Sequence, residues 1–593
     1  MTEQAPRRIL RAEFLVPALS CVFLAAGAAG VAVGVLDEGA FKARIDASSP
    51  DGSAVSFPLE RTRVIQQRVG VYGGALLSAG VMALVFLKRL VALSRQIWND
   101  CVELQREWRT DLRHWVTREP GHVLALGFAV IVAVAVRLAF LHQDMRYDEA
   151  DSYLMFASRS LVYGLSDYPE PNNHLLSTLL MHLSVNLFGD APWAVRLPTF
   201  IAGVLIIPAA YWALRKPLGR WAALIAAGLS AGSSMLVHYS VNARGYSLVV
   251  LAFFVGLALC NRMAARPSLG AAALLGVVSA LGFYAVPTML FPFGGCLLWL
   301  ALIMVRRRNT GEWKNRLSDI LLAGMLTVVL TLLLYGPVIV ASGPDALTSN
   351  KYVSATAWSR LLDLLGERLA VFATELTRTP GVAVLLGTGL VTWLVVDAKR
   401  RARSALLPAA LAIWCVLIIA VQRVPPYGRV WTFVIPLAYG IGAAGLVWIV
   451  QRSPRGRSAI LGALTFGLTC WMSLDTLHTR SPSMSPEDER FEAAESIAAF
   501  FKSSLAPEDR VLTVSPVRTS LWYYMRRAGF PSEVMSHDTG GLSFTYAVVN
   551  VPLAEFNSGL TEWSMPNLEE SQLHHVQDFP GAAVYRIDPP LPY

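Results

Sequence analysis

The sequence predicts a polytopic α-helical membrane protein with about thirteen transmembrane helices, outer-surface juxtamembrane helices and a small C-terminal extracytoplasmic α/β domain. Three observations predict it. The 593 residues have a mean hydropathy of +0.46, are 54% hydrophobic and only 16% charged, against about 25% charged in soluble domains. The apolar residues fall in blocks of about 17–25 residues, the length that crosses a bilayer core. Short clusters of Lys and Arg separate the blocks, in the pattern that orients spans in a membrane.

The expected spans run near 14–36, 71–87, 122–141, 193–214, 220–238, 246–262, 268–285, 287–305, 317–341, 380–396, 404–422, 431–450 and 457–474. The basic clusters are Arg7/Arg8/Arg11, Lys88/Arg89/Arg95, Arg215/Lys216/Arg220, Arg262/Arg266, Arg306–Arg308, Lys399–Arg403 and Arg452–Arg457. With this set of spans every cluster falls on one side, which is then cytoplasmic. The net charge of +9 is therefore topology signalling rather than a nucleic-acid-binding face. The first apolar block is long and runs into Asp37–Glu38, so it reads as an uncleaved span rather than a signal peptide. Six scattered cysteines form no Cys-x-x-Cys pair, which argues against a zinc site or a disulfide framework.

The same orientation places residues 142–192 outside. Two amphipathic stretches, 149–163 and His174 to Phe188, read as helices on the outer membrane surface, joined by the Pro-rich turn 167–173. Residues 37–70 read as an outside loop. Residues 88–120 read as an amphipathic helix on the inner leaflet, with Trp98, Leu104 and Trp108 as its apolar side. Residues 342–379 read as an outside loop with a helical pattern at 358–374. After 474 the composition turns polar. Glu487 to Leu505 and Ser520 to Arg527 read as helices, Val511–Val514 and Tyr546–Val551 as strands, and Val576 to Ile587 as a closing hairpin. The expected units are 1–120, an N-terminal pair of spans; 121–474, the membrane core; and 475–593, the α/β domain on the outer side.

Candidate chemistry gathers on that outer side. Arg146-Tyr-Asp-Glu-Ala-Asp151 puts three carboxylates directly after a span. Carboxylates there can act as general bases or hold a divalent cation, with Asp148 and Glu149 the candidates. The plainer alternative is that Asp148 caps the helix that follows. Pro171-Asn-Asn-His174 offers Asn173 and His174; a histidine can move protons or meet a phosphate, or simply sit at a helix start. Tyr239-Ser-Val-Asn-Ala-Arg-Gly-Tyr246 places Asn242, Arg244 and Tyr246 in an outside turn, and Arg423 and Arg429 lie in another. Arginine suits phosphate because its planar fork donates two parallel hydrogen bonds; snorkelling to headgroups is the alternative. Tyr284 adds an aromatic wall. Ionisable residues are nearly absent from mid-membrane positions, where a transporter would carry them.

The ordered set Tyr147-Asp148-Glu149, His174-Leu-Leu, Leu187-Phe-Gly-Asp-Ala-Pro-Trp-Ala-Val-Arg-Leu-Pro198 and Ala243-Arg-Gly-Tyr246 resembles the GT-C superfamily of membrane glycosyltransferases. It is similar in particular to the bacterial enzymes related to protein O-mannosyltransferases and to the lipid A aminoarabinose transferase. The resemblance spans about residues 120–593. It implies an inverting transfer of a sugar from a polyprenyl-phosphate donor to an extracytoplasmic lipid, glycan or protein, at the outer face of a bacterial inner membrane. It implies Asp148 as catalytic base or metal-linked carboxylate with Glu149 beside it, and His174 as the surface-helix histidine. It also implies Arg244 and Arg429, with Tyr246, at the donor phosphate, with or without a divalent metal ion. Two positions depart from the pattern: Asn242 stands where many relatives are acidic, and Leu175-Leu176 where many carry prolines. The competing expectations are a transporter or flippase of lipid-linked glycan, which calls for two related halves, and a non-catalytic envelope-assembly scaffold, in which the outer carboxylates and arginines are dispensable.

Overall fold

The computed structural model describes residues 6–47, 59–348, 354–400, 406–452, 456–484, 491–535, 543–561 and 565–592. Part of the expected basic cluster Lys399–Arg403 and the start of the expected helix at Glu487 lie outside the described residues. Among the described residues, nine helices are long and apolar enough to cross a membrane, from Val16–Gly34 to Arg457–Thr479. A bent pair, Arg220–Gly232 and Ser234–Ser240, makes a tenth if it counts as one broken span. Leu269–Ala285, Val382–Val396 and Leu406–Gln422 are apolar but shorter. All thirteen expected segments are thus helical, and nine or ten have the length and composition of a full crossing.

The broken span has a physical cause. Gly232-Ser233-Ser234 interrupts the backbone ladder, and the two pieces meet at 61°. The carbonyls freed by the break find side chains. Arg137 Nη1 donates to Ala231 O at 3.0 Å, and Thr476 Oγ1 donates to Gly232 O at 2.6 Å. Arg137 is itself fully buried. The break lets Ser234–Ser240 turn against the helix Pro192–Leu214, where a Cβ on Gly203 would lie 2.0 Å from Ser240 Oγ. It also aims the following turn, 241–245, at the outer segment.

The helix Leu87–Arg118 runs along the opposite end of the bundle. Glu107 Oε2 accepts from Arg262 Nε at 2.9 Å, Glu103 Oε1 from Arg266 Nη2 at 3.2 Å and Asp111 Oδ2 from Arg215 Nη2 at 3.3 Å. Two basic clusters that the sequence puts on one side are therefore gathered along one helix. Its apolar side is split, however: Leu104 packs into the main core while Trp98 and Trp108 stay exposed. The expected outside loop 37–70 is a correction as well. It contains the helix Glu38–Ala47, and the next helix, Leu59–Val85, begins well before 71. Arg63 Nε ties the two, donating to Glu38 Oε1 at 2.7 Å. The pattern at 358–374 appears as the helix Trp358–Leu376.

Residues 142–192 fold as Tyr147–Ser152, a wider turn Tyr153–Ala157, Leu161–Ser166 and Leu175–Phe188. The C-terminal segment forms a four-stranded sheet in the order β1-β2-β4-β3. Strand β1 (Val511–Leu512) runs parallel to β2 (Ser543–Val549), which pairs antiparallel with β4 (Ala582–Pro592); β3 (Leu573–Phe579) closes the hairpin with β4. The helices Ala494–Ser504 and Val517–Arg527 cover it. Ile497, Phe501 and Leu521 share one apolar cluster with Met145, Ala150 and Met181. The sheet domain and segment 142–192 are therefore one packed body. Polar contacts fix the seam: Met145 N donates to Tyr524 Oη at 3.0 Å, Arg526 Nη1 to Ser158 Oγ at 2.8 Å and Arg527 Nε to Asp190 Oδ1 at 3.2 Å.

Candidate active site

The two adjacent carboxylates have opposite fates, because successive helical residues point in different directions. Glu149 turns inward and is fully buried with Arg196. Its Oε2 accepts from Arg196 Nε at 3.0 Å and from Ala243 N at 3.1 Å; its Oε1 pairs with Arg196 Nη2 and accepts from Arg146 N at 2.9 Å. The remaining Arg196 donors reach Leu141 O, Gln143 O and Asp144 O at 2.6–2.9 Å. Both oxygens of Glu149 are committed. It locks three segments together and has no face left for a substrate or a metal, which corrects its place among the catalytic and metal candidates.

Asp148 turns the other way. Its side chain keeps 25% of its surface exposed and pairs through Oδ2 with Arg244 Nη1. Arg244 Nη2 donates to Asn172 Oδ1 at 3.1 Å, and Asn172 Nδ2 donates to Asp151 Oδ2 at 2.9 Å. Asp148 and Asp151 lie one helical turn apart, so they share a face. Burial pushes the Asp151 carboxyl up, opposed by its hydrogen bond from Asn172 and reinforced by the charge of Asp148.

His174 sits at the start of the helix Leu175–Phe188. Its Nδ1 accepts from Gly245 N at 2.9 Å, which leaves the proton of the neutral ring on Nε2. Burial holds the imidazole well below its usual range, and the charges of Arg244 and Arg429 act in the same direction. Tyr246 meets the ring edge-on, with centroids 5.2 Å apart, and lies 5.3 Å from the Arg244 guanidinium. The contact with Gly245 needs a glycine: a Cβ there would lie 2.7 Å from Ala285 O. Arg429 lies 4.5 Å from the Tyr427 ring, and Arg368 covers the same ring at 3.6 Å. The structure thus brings Asp148, His174, Arg244, Tyr246 and Arg429 into one neighbourhood.

Residues 171–335 match the protein family described as dolichyl-phosphate-mannose-protein mannosyltransferase. That stretch holds His174, Arg244 and Tyr246. The chain is similar in structure to ArnT from Cupriavidus metallidurans in the apo state, at a TM-score of 0.53, with 16% identity over 80% of this chain and 98% of that one. The chain therefore shares its fold with that membrane-protein structure. The same ArnT bound to undecaprenyl phosphate gives a TM-score of 0.49, with 17% identity over 78% of this chain and 97% of that one. An oligosaccharyltransferase from Archaeoglobus fulgidus gives 0.41, with 12% identity over 72% and 61%. No curated protein matches the chain.

Within this fold three further sequence candidates serve the scaffold. Asn173 donates to Gly164 O and Asp167 O, each at 2.8 Å, and accepts from Thr178 Oγ1 at 2.8 Å. It pins the Pro-rich turn, and it leaves the candidate site on that ground. Asn242 is fully buried, and its backbone carbonyl accepts from Arg244 N at 2.7 Å. Tyr284 stacks edge-on against Tyr335 at 5.8 Å, in a cluster with Leu175; it supports the floor beneath His174.

Among the described residues, no group of three or more His, Cys, Asp or Glu is arranged to hold a metal ion. With Glu149 spent on Arg196 and Asp148 paired with a guanidinium, the residues present do not fit one. Sequence reasoning missed Arg196 as the partner of Glu149, and it missed Asn172. The signals were present: an arginine inside an apolar span asks for a buried carboxylate, and Asn172 lies beside the asparagine that was singled out.

Proposed function

We propose that this chain is an inverting GT-C glycosyltransferase that moves a sugar from a polyprenyl-phosphate donor to an extracytoplasmic lipid, glycan or protein. We place the reaction at the outer face of a bacterial inner membrane, with residues 121–474 as catalytic core and 475–593 on the acceptor side. The observation that carries the reading is the Asp148–Arg244 pair beside His174 and Arg429. A partly exposed carboxylate paired with one guanidinium, with a second near His174, is suited to a reaction that takes up a proton and expels a phosphate. The matching family's description, which names a dolichyl-phosphate donor, supports the same donor class.

In this mechanism the donor phosphate competes with Asp148 for the N–H groups of Arg244. The carboxylate so released accepts the proton of the acceptor hydroxyl. The hydroxyl oxygen forms its bond to the anomeric carbon as the bond from that carbon to the phosphate oxygen breaks. The electron pair leaves with the polyprenyl phosphate, and Arg244 and Arg429 stabilise the developing charge. Attack opposite the leaving group inverts the anomeric centre. His174, neutral and held by Gly245, positions the Arg244–Tyr246 turn. No step runs through a metal.

The test uses the purified full-length chain with a panel of polyprenyl-phosphate sugars and follows release of polyprenyl phosphate together with label transfer. Wild-type protein should transfer and Asp148→Asn should not. Transfer by the variant at the wild-type rate would overturn the assignment. Movement of intact donor across vesicles without transfer would favour a flippase.

A further inference from the structure

The end of the bundle far from Asp148 carries a cavity of roughly 940 Å³. The distance is fixed by two helices. Pro120–Leu141 starts at Glu119 beside the cavity and ends at the Asp148 segment. Pro192–Leu214, which carries Arg196 in its second turn and is followed by Arg215, has 23 residues that cover about 35 Å at about 1.5 Å each. This cavity therefore belongs to a different membrane surface from the candidate active site.

Its lining is chemically divided. Arg215, Lys216, Arg220 and Arg457 supply four basic side chains against the two carboxylates of Asp111 and Glu119. Arg215 stacks on Trp212 at 3.5 Å and pairs with Asp111, yet its buried Nε has no hydrogen-bond partner among the described residues. Two helices also begin at the rim, Arg220–Gly232 and Arg457–Thr479. Each starts after a positive-φ glycine, Gly219 or Gly456, without a side-chain cap, so their first N–H groups add to the positive field. Deeper in, Val396, Val447 and Leu461 make the wall apolar, and Trp115, Trp221, Trp393 and Trp448 ring it. Tryptophan at the ends of spans marks the headgroup level. Basic pockets between spans at that level bind anionic headgroups.

We propose that this cavity is a binding site for the phosphate group of an anionic membrane lipid, with the headgroup on Arg215, Arg220 and Arg457 and an acyl chain along the apolar wall. The apolar depth separates this ligand from a free phosphate ion, which would need only the basic rim. The site does not depend on the proposed transferase activity.

The test is thermal unfolding and native mass spectrometry of the purified full-length chain in micelles with added phosphatidylglycerol, phosphatidylcholine or inorganic phosphate. Phosphatidylglycerol should raise the unfolding temperature and remain bound; phosphatidylcholine should not. R220Q/R457Q should lose that shift, with binding weakened about fivefold for each basic residue removed. R457Q alone, on an exposed side chain, keeps the test decisive should the double variant fold poorly. R306Q/R308Q, which removes charge from another cluster, should bind as wild type. Equal effects of the two lipids, or equal loss in R306Q/R308Q, would overturn the proposal. So would a full shift from inorganic phosphate alone, which would assign the site to a soluble anion.

Discussion

Glu149 and Arg196 form a wholly buried ion pair directly beneath the residue proposed to do the chemistry. Removing one partner of such a pair leaves an uncompensated charge, at a cost of about 3–5 kcal/mol. Glu149→Ala and Arg196→Ala are therefore expected to unfold at markedly lower temperature or denaturant concentration. A Glu149→Ala protein with wild-type stability but no activity would return Glu149 to the catalytic group.

Asp148→Asn is expected to lower kcat by about 10²–10⁴, the usual contribution of a positioned base, with little change in stability because its side chain is partly exposed. Arg244→Lys should also fail, since an ammonium cannot bond Asp148 and Asn172 with one planar fork. Residues acting as one unit give non-additive effects. Steady-state kinetics on D148N, R244Q and the double variant should show the double loss well short of the combined single losses.

Gly245→Ala tests the turn. The added methyl meets Ala285 O, so the backbone must shift and the Gly245 N–H leaves His174. We expect a stability loss of about 1–3 kcal/mol, typical of overpacking, and a larger fall in activity than that loss explains. Unfolding curves and transfer rates measured on one preparation check it.

His174 gives a pH prediction. Its folded-state pKa lies below its ordinary 6.5, so the unfolded chain takes up this proton first as pH falls. Stability from this group is complete above about pH 6.5 and declines as pH drops below it toward the folded value. The unfolding temperature of His174→Gln should fall less than that of wild type over that range. An equal slope in both would remove His174 as the source.

Much of this was legible in the chain itself. Hydropathy located the long apolar helices, because a bilayer crossing demands a long apolar run; nine or ten of the thirteen expected segments reach that length among the described residues. Charge asymmetry found the end along which Leu87–Arg118 gathers Arg215, Arg262 and Arg266. The separate fates of Asp148 and Glu149 were not legible. Neighbouring carboxylates look alike until the partner of one is known, and Arg196 is 47 residues away. The same holds for Asn173: its three partners, Gly164, Asp167 and Thr178, come from the two helices it joins and the turn between them, an arrangement that no local pattern encodes.

The break at Gly232–Ser234 bears on how the chain is made. Carbonyls freed within the bilayer must find donors inside the protein. Ala231 finds Arg137, already synthesised, but Gly232 waits for Thr476 in the last span, 244 residues later. The break that leads into the Arg244 turn therefore gains this hydrogen bond only once the last span has been made. A nascent protein halted before the span Arg457–Thr479 would hold all of Asp148, His174 and Arg244, but not the donor for Gly232 O.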